Sequence, residues 1–157
     1  MKKLIIRLVI GVGVMVVVLT AIMAILARVV KSPADLGVKD GKLAACPNSP
    51  NCVSTQSQDP RHQIAPIPYT MSLAMARDNL IHIIRSMERS TIITEDPTYI
   101  RAEFRTKGIG YVDDVEFYLD EEAQVIHFRS SARLPYYDFE VNRKRMEAIR
   151  AAFIAME

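Results

Sequence analysis

The chain has no tryptophan, only two cysteines, and no acidic residue before Asp35. Two cysteines are too few for a disulfide-rich miniprotein, and no Cys/His cluster shows zinc-ligand spacing. The six glycines form no phosphate-cradling run, so no phosphate loop is present. Internal repeats and low-complexity tracts are also absent. The formal charge of +2 hides an asymmetry. Lys2, Lys3, Arg7, Arg28 and Lys31 all lie in the acid-free start, and residues 32–157 hold 15 basic and 18 acidic side chains, a net of −3. A nucleic-acid binder needs a basic face, which this composition does not supply. The length of 157 residues allows one compact domain with about 30 residues to spare.

Those spare residues are apolar. Leu8 to Ala27 is an uncharged run of 20 residues. As a helix it would extend about 30 Å, the thickness of a hydrocarbon core. The segment 1–31 is therefore expected to be an N-terminal anchor, spanning about 8–27. The basic flanks are Lys2, Lys3 and Arg7 before the run and Arg28 and Lys31 after it. Their slight N-terminal excess puts the start of the chain in the cytoplasm and the rest outside it. The expected address is the inner (cytoplasmic) membrane, single-pass, with the C-terminal domain in the periplasm or another extracytoplasmic space. Two rivals are weighed. A cleaved signal peptide has a shorter apolar region, about 7–15 residues, and a small-x-small cleavage site. Ile25-Leu26-Ala27 is a poor one. A lipoprotein box, Leu43-Ala44-Ala45-Cys46, would have to follow the apolar run directly, but charged residues intervene. Residues 32–42 (SPADLGVKDGK) read as a polar linker standing the domain off the membrane, leaving 43–157 as the domain.

Within the domain, residues 45–68 carry five prolines and no sustained period, and are expected to be irregular. Thr70 is a candidate cap. Behind it Leu73, Ala76, Leu80, Ile83, Ile84 and Met87 form one apolar stripe, predicting a helix over about 71–88. A short strand is expected at 91–94, followed by a turn at Asp96-Pro97. Three runs then alternate with period two, around Ile100/Ala102/Phe104, Val115/Phe117/Leu119 and Ile126/Phe128/Ser130. Each has one apolar and one polar face, the pattern of an antiparallel sheet covered on one side. The link 120–125 is a short acidic hairpin loop. If Leu119 faces Ile126, Phe117 meets Phe128, Tyr118 meets His127, Glu116 meets Arg129 and Asp114 meets Ser131. Asp138 is expected to cap a last helix with Val141, Met146, Ile149, Phe153 and the small Ala148 and Ala152 inward, and Arg143, Lys144, Arg145, Glu147 and Arg150 facing water. The fold class is α+β: an N-terminal transmembrane helix, then one small domain whose antiparallel β-meander is covered on one face by two helices.

Candidate sites are few. Cys46 and Cys52 bracket a turn-forming PNSPN and read most simply as a structural disulfide outside the cytoplasm. A redox pair is the sharper alternative, but it lacks two-residue spacing and a thioredoxin-like context. Asp113, Asp114 and Glu116 place three carboxylates within four positions. They suit a cation or acid/base chemistry, or simple neutralisation by Arg129 and the Arg101/Arg105 row. Arg129, Ser131 and Arg133 approach the start of the last helix, where Asn142 and Arg143 lie, and suit a small anionic ligand. The simpler alternative is a set of ion pairs with Asp114, Glu116 and Asp138. His127 cannot serve Ser131 as a base, because four strand residues separate them by about 13 Å. No catalytic residue, metal ligand or cofactor is assigned.

Five blocks carry a family resemblance: CPNSPNCVSTQ at 46–56, HQIAPIP at 62–68, YVDDVEFYLD at 111–120, VIHFRSSAR at 125–133 and NRKRMEAIR at 142–150. Together they resemble the bacterial family of uncharacterised envelope proteins catalogued as domain of unknown function fourteen-ninety-nine, over about 43–155. The departure lies at 134–138 (LPYYD), where that family more often has a small-residue turn before the Asp. The resemblance implies a domain type and an envelope location, but no reaction. The expected function is non-catalytic, a binding or envelope-assembly module whose partner is another envelope protein or a small anion. The alternative is an enzyme built on the carboxylate/Arg cluster.

Overall fold

A computed structural model describes residues 2–134 and 136–157. Met1 of the expected anchor and Pro135 of the expected 134–138 turn lie outside the described residues.

Helix α1 runs Lys2–Val29 and is exposed along nearly its whole length. Among the described residues it is the one helix long and apolar enough to cross a membrane. It exceeds the expected 20-residue core at both ends, because the flanking lysines and arginines are themselves good helix formers.

The domain is an antiparallel sheet with two helices on its apolar face. Strands β1 (Cys52–Ser54) and β2 (Ile67–Pro68) come first, then helix α2 (Leu73–Ser86). Strands β3 (Ser90–Glu95), β4 (Tyr99–Arg105), β5 (Val112–Asp120) and β6 (Val125–Ala132) form the meander, and helix α3 (Val141–Ile154) closes the chain. The sheet order is β1-β6-β5-β4-β3, with β2 also on β6. Pairing of β5 with β6 sets Phe117 against Phe128, Glu116 against Arg129 and Asp114 against Ser131, the register expected from the alternation.

Two strands fall in the segment expected to be irregular. The prolines of that segment flank β1 rather than interrupt it, and Pro68 ends β2. Both strands lie beyond β6, where a proline costs no ladder bond on the open side. Helix α2 starts later than expected: Ser72, not Thr70, caps it, its side chain accepting from the Met75 N–H. The stripe Ala76, Leu80, Ile83 and Ile84 is buried as predicted. Helix α3 has Glu140 in its cap position, in the left-handed region and without a capping side chain. Asp138 does that work from two residues upstream, accepting from the Glu140 and Asn142 N–H groups at 3.1 and 2.9 Å. The core gathers Leu80, Ile84, Ile100, Phe117, Phe128, Met146, Ile149 and Phe153.

Candidate functional site: an ionic array on both faces of the sheet

Alternation along β5 sends Asp114 and Glu116 to one face and Asp113, with Val115 and Phe117, to the other. The first face is polar but not open. Asp114 and Glu116 are 1% and 0% exposed, and Arg129 is 4% exposed. Asp114 accepts from Arg133 Nε at 2.7 Å and from Arg101 Nη2 at 3.0 Å. Glu116 accepts from Arg129 Nη1 at 3.3 Å and from the Tyr99 hydroxyl at 2.8 Å. Arg133 also reaches Glu103. The acids of β5 are therefore flanked on both sides by arginines, Arg101 on β4 and Arg129 and Arg133 on and just after β6, which compensates for their removal from water.

What removes them is the chain that follows α1. The Gly37 N–H donates to Glu116 at 2.7 Å, and Ser32 donates to Asp114 at 3.3 Å while accepting from Arg101. Arg133 Nη1 donates to the Val30 carbonyl at 3.3 Å. Gln56 then holds the far end, accepting from the Leu43 N–H and donating to the Gly41 carbonyl, each at 2.8 Å. Residues 30–43 thus lie as a strap along the polar face.

The electrostatics follow from this packing. Burial pushes the Asp114 carboxyl up, but hydrogen bonds from Arg133 and Arg101 outweigh it and hold the group below its ordinary value. The Asp114 carboxylate in turn holds Arg133 above the usual guanidinium range. Burial, reinforced by neighbouring Glu116, drives the Tyr99 hydroxyl well above an ordinary phenol, so it acts as a donor to Glu116.

On the opposite face Asp113 sits at the helix side. Arg145 Nη2 donates to it at 2.6 Å and lies over the Phe104 ring, 4.7 Å from the centroid. Burial nevertheless raises the Asp113 carboxyl above its usual range, because it outweighs the attraction of Arg145. Beside this pair Ser130 donates to Asn142 Oδ1, and Asn142 Nδ2 donates to the Asn51 carbonyl at 3.1 Å. Asn142 is 1% exposed and joins α3 to the sheet.

The residues singled out from the sequence are therefore not one cluster. Asp114, Glu116, Arg129, Ser131 and Arg133 share the strapped face. Asp113 and Asn142 belong to the helix face. Arg143 stands apart, donating to the Arg61 and Gln63 carbonyls at 3.0 Å each. Tyr99, Arg145, Ser130 and Gly37 complete the array; of these, Arg145 was expected to face water, but it turns in to Asp113, whereas Ala148 and Ala152, expected inward, are exposed. An inward-facing carboxylate at Asp113 demands a cation from the helix above it, and that signal could have found Arg145.

His127 stacks on Tyr118, with ring centroids 6.2 Å apart, and its Nδ1 lies 3.1 Å from Thr55 Oγ1. Burial lowers its proton affinity. Cys46 and Cys52 stand at disulfide distance with Cα atoms 5.7 Å apart. Among the described residues no group of three or more His, Cys, Asp or Glu is placed to hold a metal ion.

These features define a class: an α+β domain behind one apolar helix, with ionic rows on both faces of its central strands. The chain belongs to the family described as Protein of unknown function (DUF1499), whose model matches residues 42–153. No curated protein matches it.

Proposed function

We propose that this protein is a single-pass membrane protein whose domain, residues 43–157, works outside the cytoplasm by binding another protein of the envelope. One observation carries the choice of binding over catalysis. The carboxylates and guanidiniums of the central strands are committed to one another, and the strap buries them. Asp113 and Asp114 face opposite sides of the sheet, so they do not form an acid/base pair. Arg129 and Arg133 already hold carboxylates, which argues against a free anion site there. The location is supported by the exposed apolar α1, its slight N-terminal basic excess and the Cys46–Cys52 pair, which suits an oxidising space.

Crosslinking and pull-down of the full-length protein from native membrane tests this reading, run beside Arg129→Ala. The wild type is expected to capture one envelope protein reproducibly. Arg129→Ala is expected to capture less, in step with its loss of folded protein. No capture, combined with turnover of a small molecule by the wild type, would favour an enzyme instead. Mass spectrometry of the mature N-terminus is expected to find α1 retained.

A further inference from the structure

The contacts of the strap fix which end of the sheet lies next to α1. Val30 touches Arg133, Ser32 touches Asp114, and Gly37 touches Glu116. The chain leaving α1 therefore travels along β5 from its Val112 end towards its Asp120 end. Arg133 N–H donates to the Val112 carbonyl at 2.9 Å, so β5 begins where β6 ends. Ala27, in the last turn of α1, is 4% exposed, so the end of the helix is itself seated on the domain.

The same end carries the domain's exposed aromatics. Tyr136, Tyr137 and Phe139, in the connection between β6 and α3, are 70%, 49% and 75% exposed. The other large exposed apolar side chains of the described domain (Met75, Ile93, Ile154 and Met156) are all aliphatic. Tyr137 and Phe139 meet edge to face at 5.1 Å, and Phe139 is held at a φ of 55°. An apolar cleft of about 220 Å³, lined also by Leu134 of the same connection, continues the patch towards Ile109 and Tyr111 on the neighbouring β4–β5 loop. Lys107 lines this cleft and is exposed, and Arg28 and Lys31 are exposed where the chain leaves α1.

We propose that Tyr136, Tyr137 and Phe139 rest in the headgroup layer of the bilayer that α1 enters, so that the domain lies on the membrane by this end. The proposal rests on the reading of α1 as a membrane span. If residues 8–27 fill the hydrocarbon core, Val30 lies only about 4–5 Å beyond it along the helix axis. The headgroup layer is about 5–7 Å deep on each side, so the Val30–Arg133 contact falls within it. Rings with an apolar body and a wet edge concentrate in that layer, and cations there meet lipid phosphates. An exposed aromatic patch of this kind marks an interaction surface, and its position assigns the lipid as its occupant.

The absence of tryptophan makes a direct test available. Three single-Trp variants of the full-length protein are reconstituted in vesicles of phosphatidylcholine and phosphatidylglycerol, with or without brominated acyl chains. Val17→Trp reports the span, Phe139→Trp the patch, and Met156→Trp the opposite end of the domain. Phe139→Trp emission is expected to shift to the blue and to be lost most with bromines nearest the headgroups. Val17→Trp should be lost most with bromines near the chain ends, and Met156→Trp should be unaffected. Tyr136→Trp replaces Phe139→Trp if that variant does not fold. A quenched Val17→Trp with an unquenched Phe139→Trp would overturn this proposal alone, including the case where the patch is blue-shifted by a protein contact. An unquenched Val17→Trp would overturn the membrane span and the proposal with it.

Discussion

Asp113 and Arg145 meet at 2.6 Å between β5 and α3, on the face of the sheet opposite Asp114. Neighbours in sequence thus answer to different partners: one carboxylate ties the sheet to a helix, the next ties it to the strap. Both groups of the Asp113–Arg145 pair are nearly inaccessible, 3% and 9% exposed. Removing one member of such a pair strands the other charge. Arg145→Met is expected to destabilise the protein by about 3–5 kcal/mol. Pairing it with Asp113→Asn should restore most of that loss. Urea unfolding of the full-length protein in detergent, followed by circular dichroism, measures both.

Arg129 and Glu116 give the corresponding prediction on the strapped face. Arg129→Ala leaves Glu116 without its guanidinium at a fully buried position, and should also cost about 3–5 kcal/mol. An Arg129→Ala protein that unfolds at the wild-type urea concentration would show that the pair is not structural.

The strap offers a cleaner probe. Gly37 has φ +120°, a region that side chains rarely adopt, and a Cβ there would meet nothing within 4 Å. Gly37→Ala therefore adds backbone strain without a clash. Its expected cost is about 1–3 kcal/mol, read in the same unfolding experiment. Faster hydrogen exchange at the Gly37 amide, which donates to Glu116, should accompany it.

His127 sets a pH dependence. Its folded proton affinity is depressed below the ordinary value of 6.5, first by burial, with Asp120 opposing. The unfolded chain therefore takes up the proton at higher pH than the folded one. The stability contributed by neutral His127 is complete above 6.5 and falls away as pH drops through its folded pKa. Unfolding free energies measured from about pH 8 to about pH 5 should decline across the acidic half, and His127→Gln should flatten part of that decline.

The Cys46–Cys52 staple closes a short loop, with a sequence separation of six. Replacing both cysteines with serine should cost about 2 kcal/mol on the chain-entropy model. Labelling of the denatured, unreduced wild type with a thiol reagent should find no free thiol.

The register of β5 on β6 was legible because two strong alternations flank a short loop, and a slip of one residue would turn Phe117 and Phe128 to the wrong face. The opposition of Glu116 and Arg129 followed from it. The cover over that pair was not legible. Apart from the Ser32 hydroxyl, its grips are main-chain atoms, the Val30 carbonyl, the Gly37 N–H and the Gly41 carbonyl, which any sequence would offer. Strands β1 and β2 escaped notice for a related reason: three and two residues are too short to show a period. The split between Asp113 and its neighbours was half visible, since alternation placed Asp113 on the other side without naming Arg145.

Because residues 30–43 are fastened along the sheet, the domain has no slack with which to swing away from α1. It turns as one piece with the helix, and a tilt of that axis is carried straight into β5. Anything that recognises the far end, around Asp120 and the C-terminus, must therefore come to a surface held at a constant distance and attitude from α1, as a boat comes to a fixed jetty.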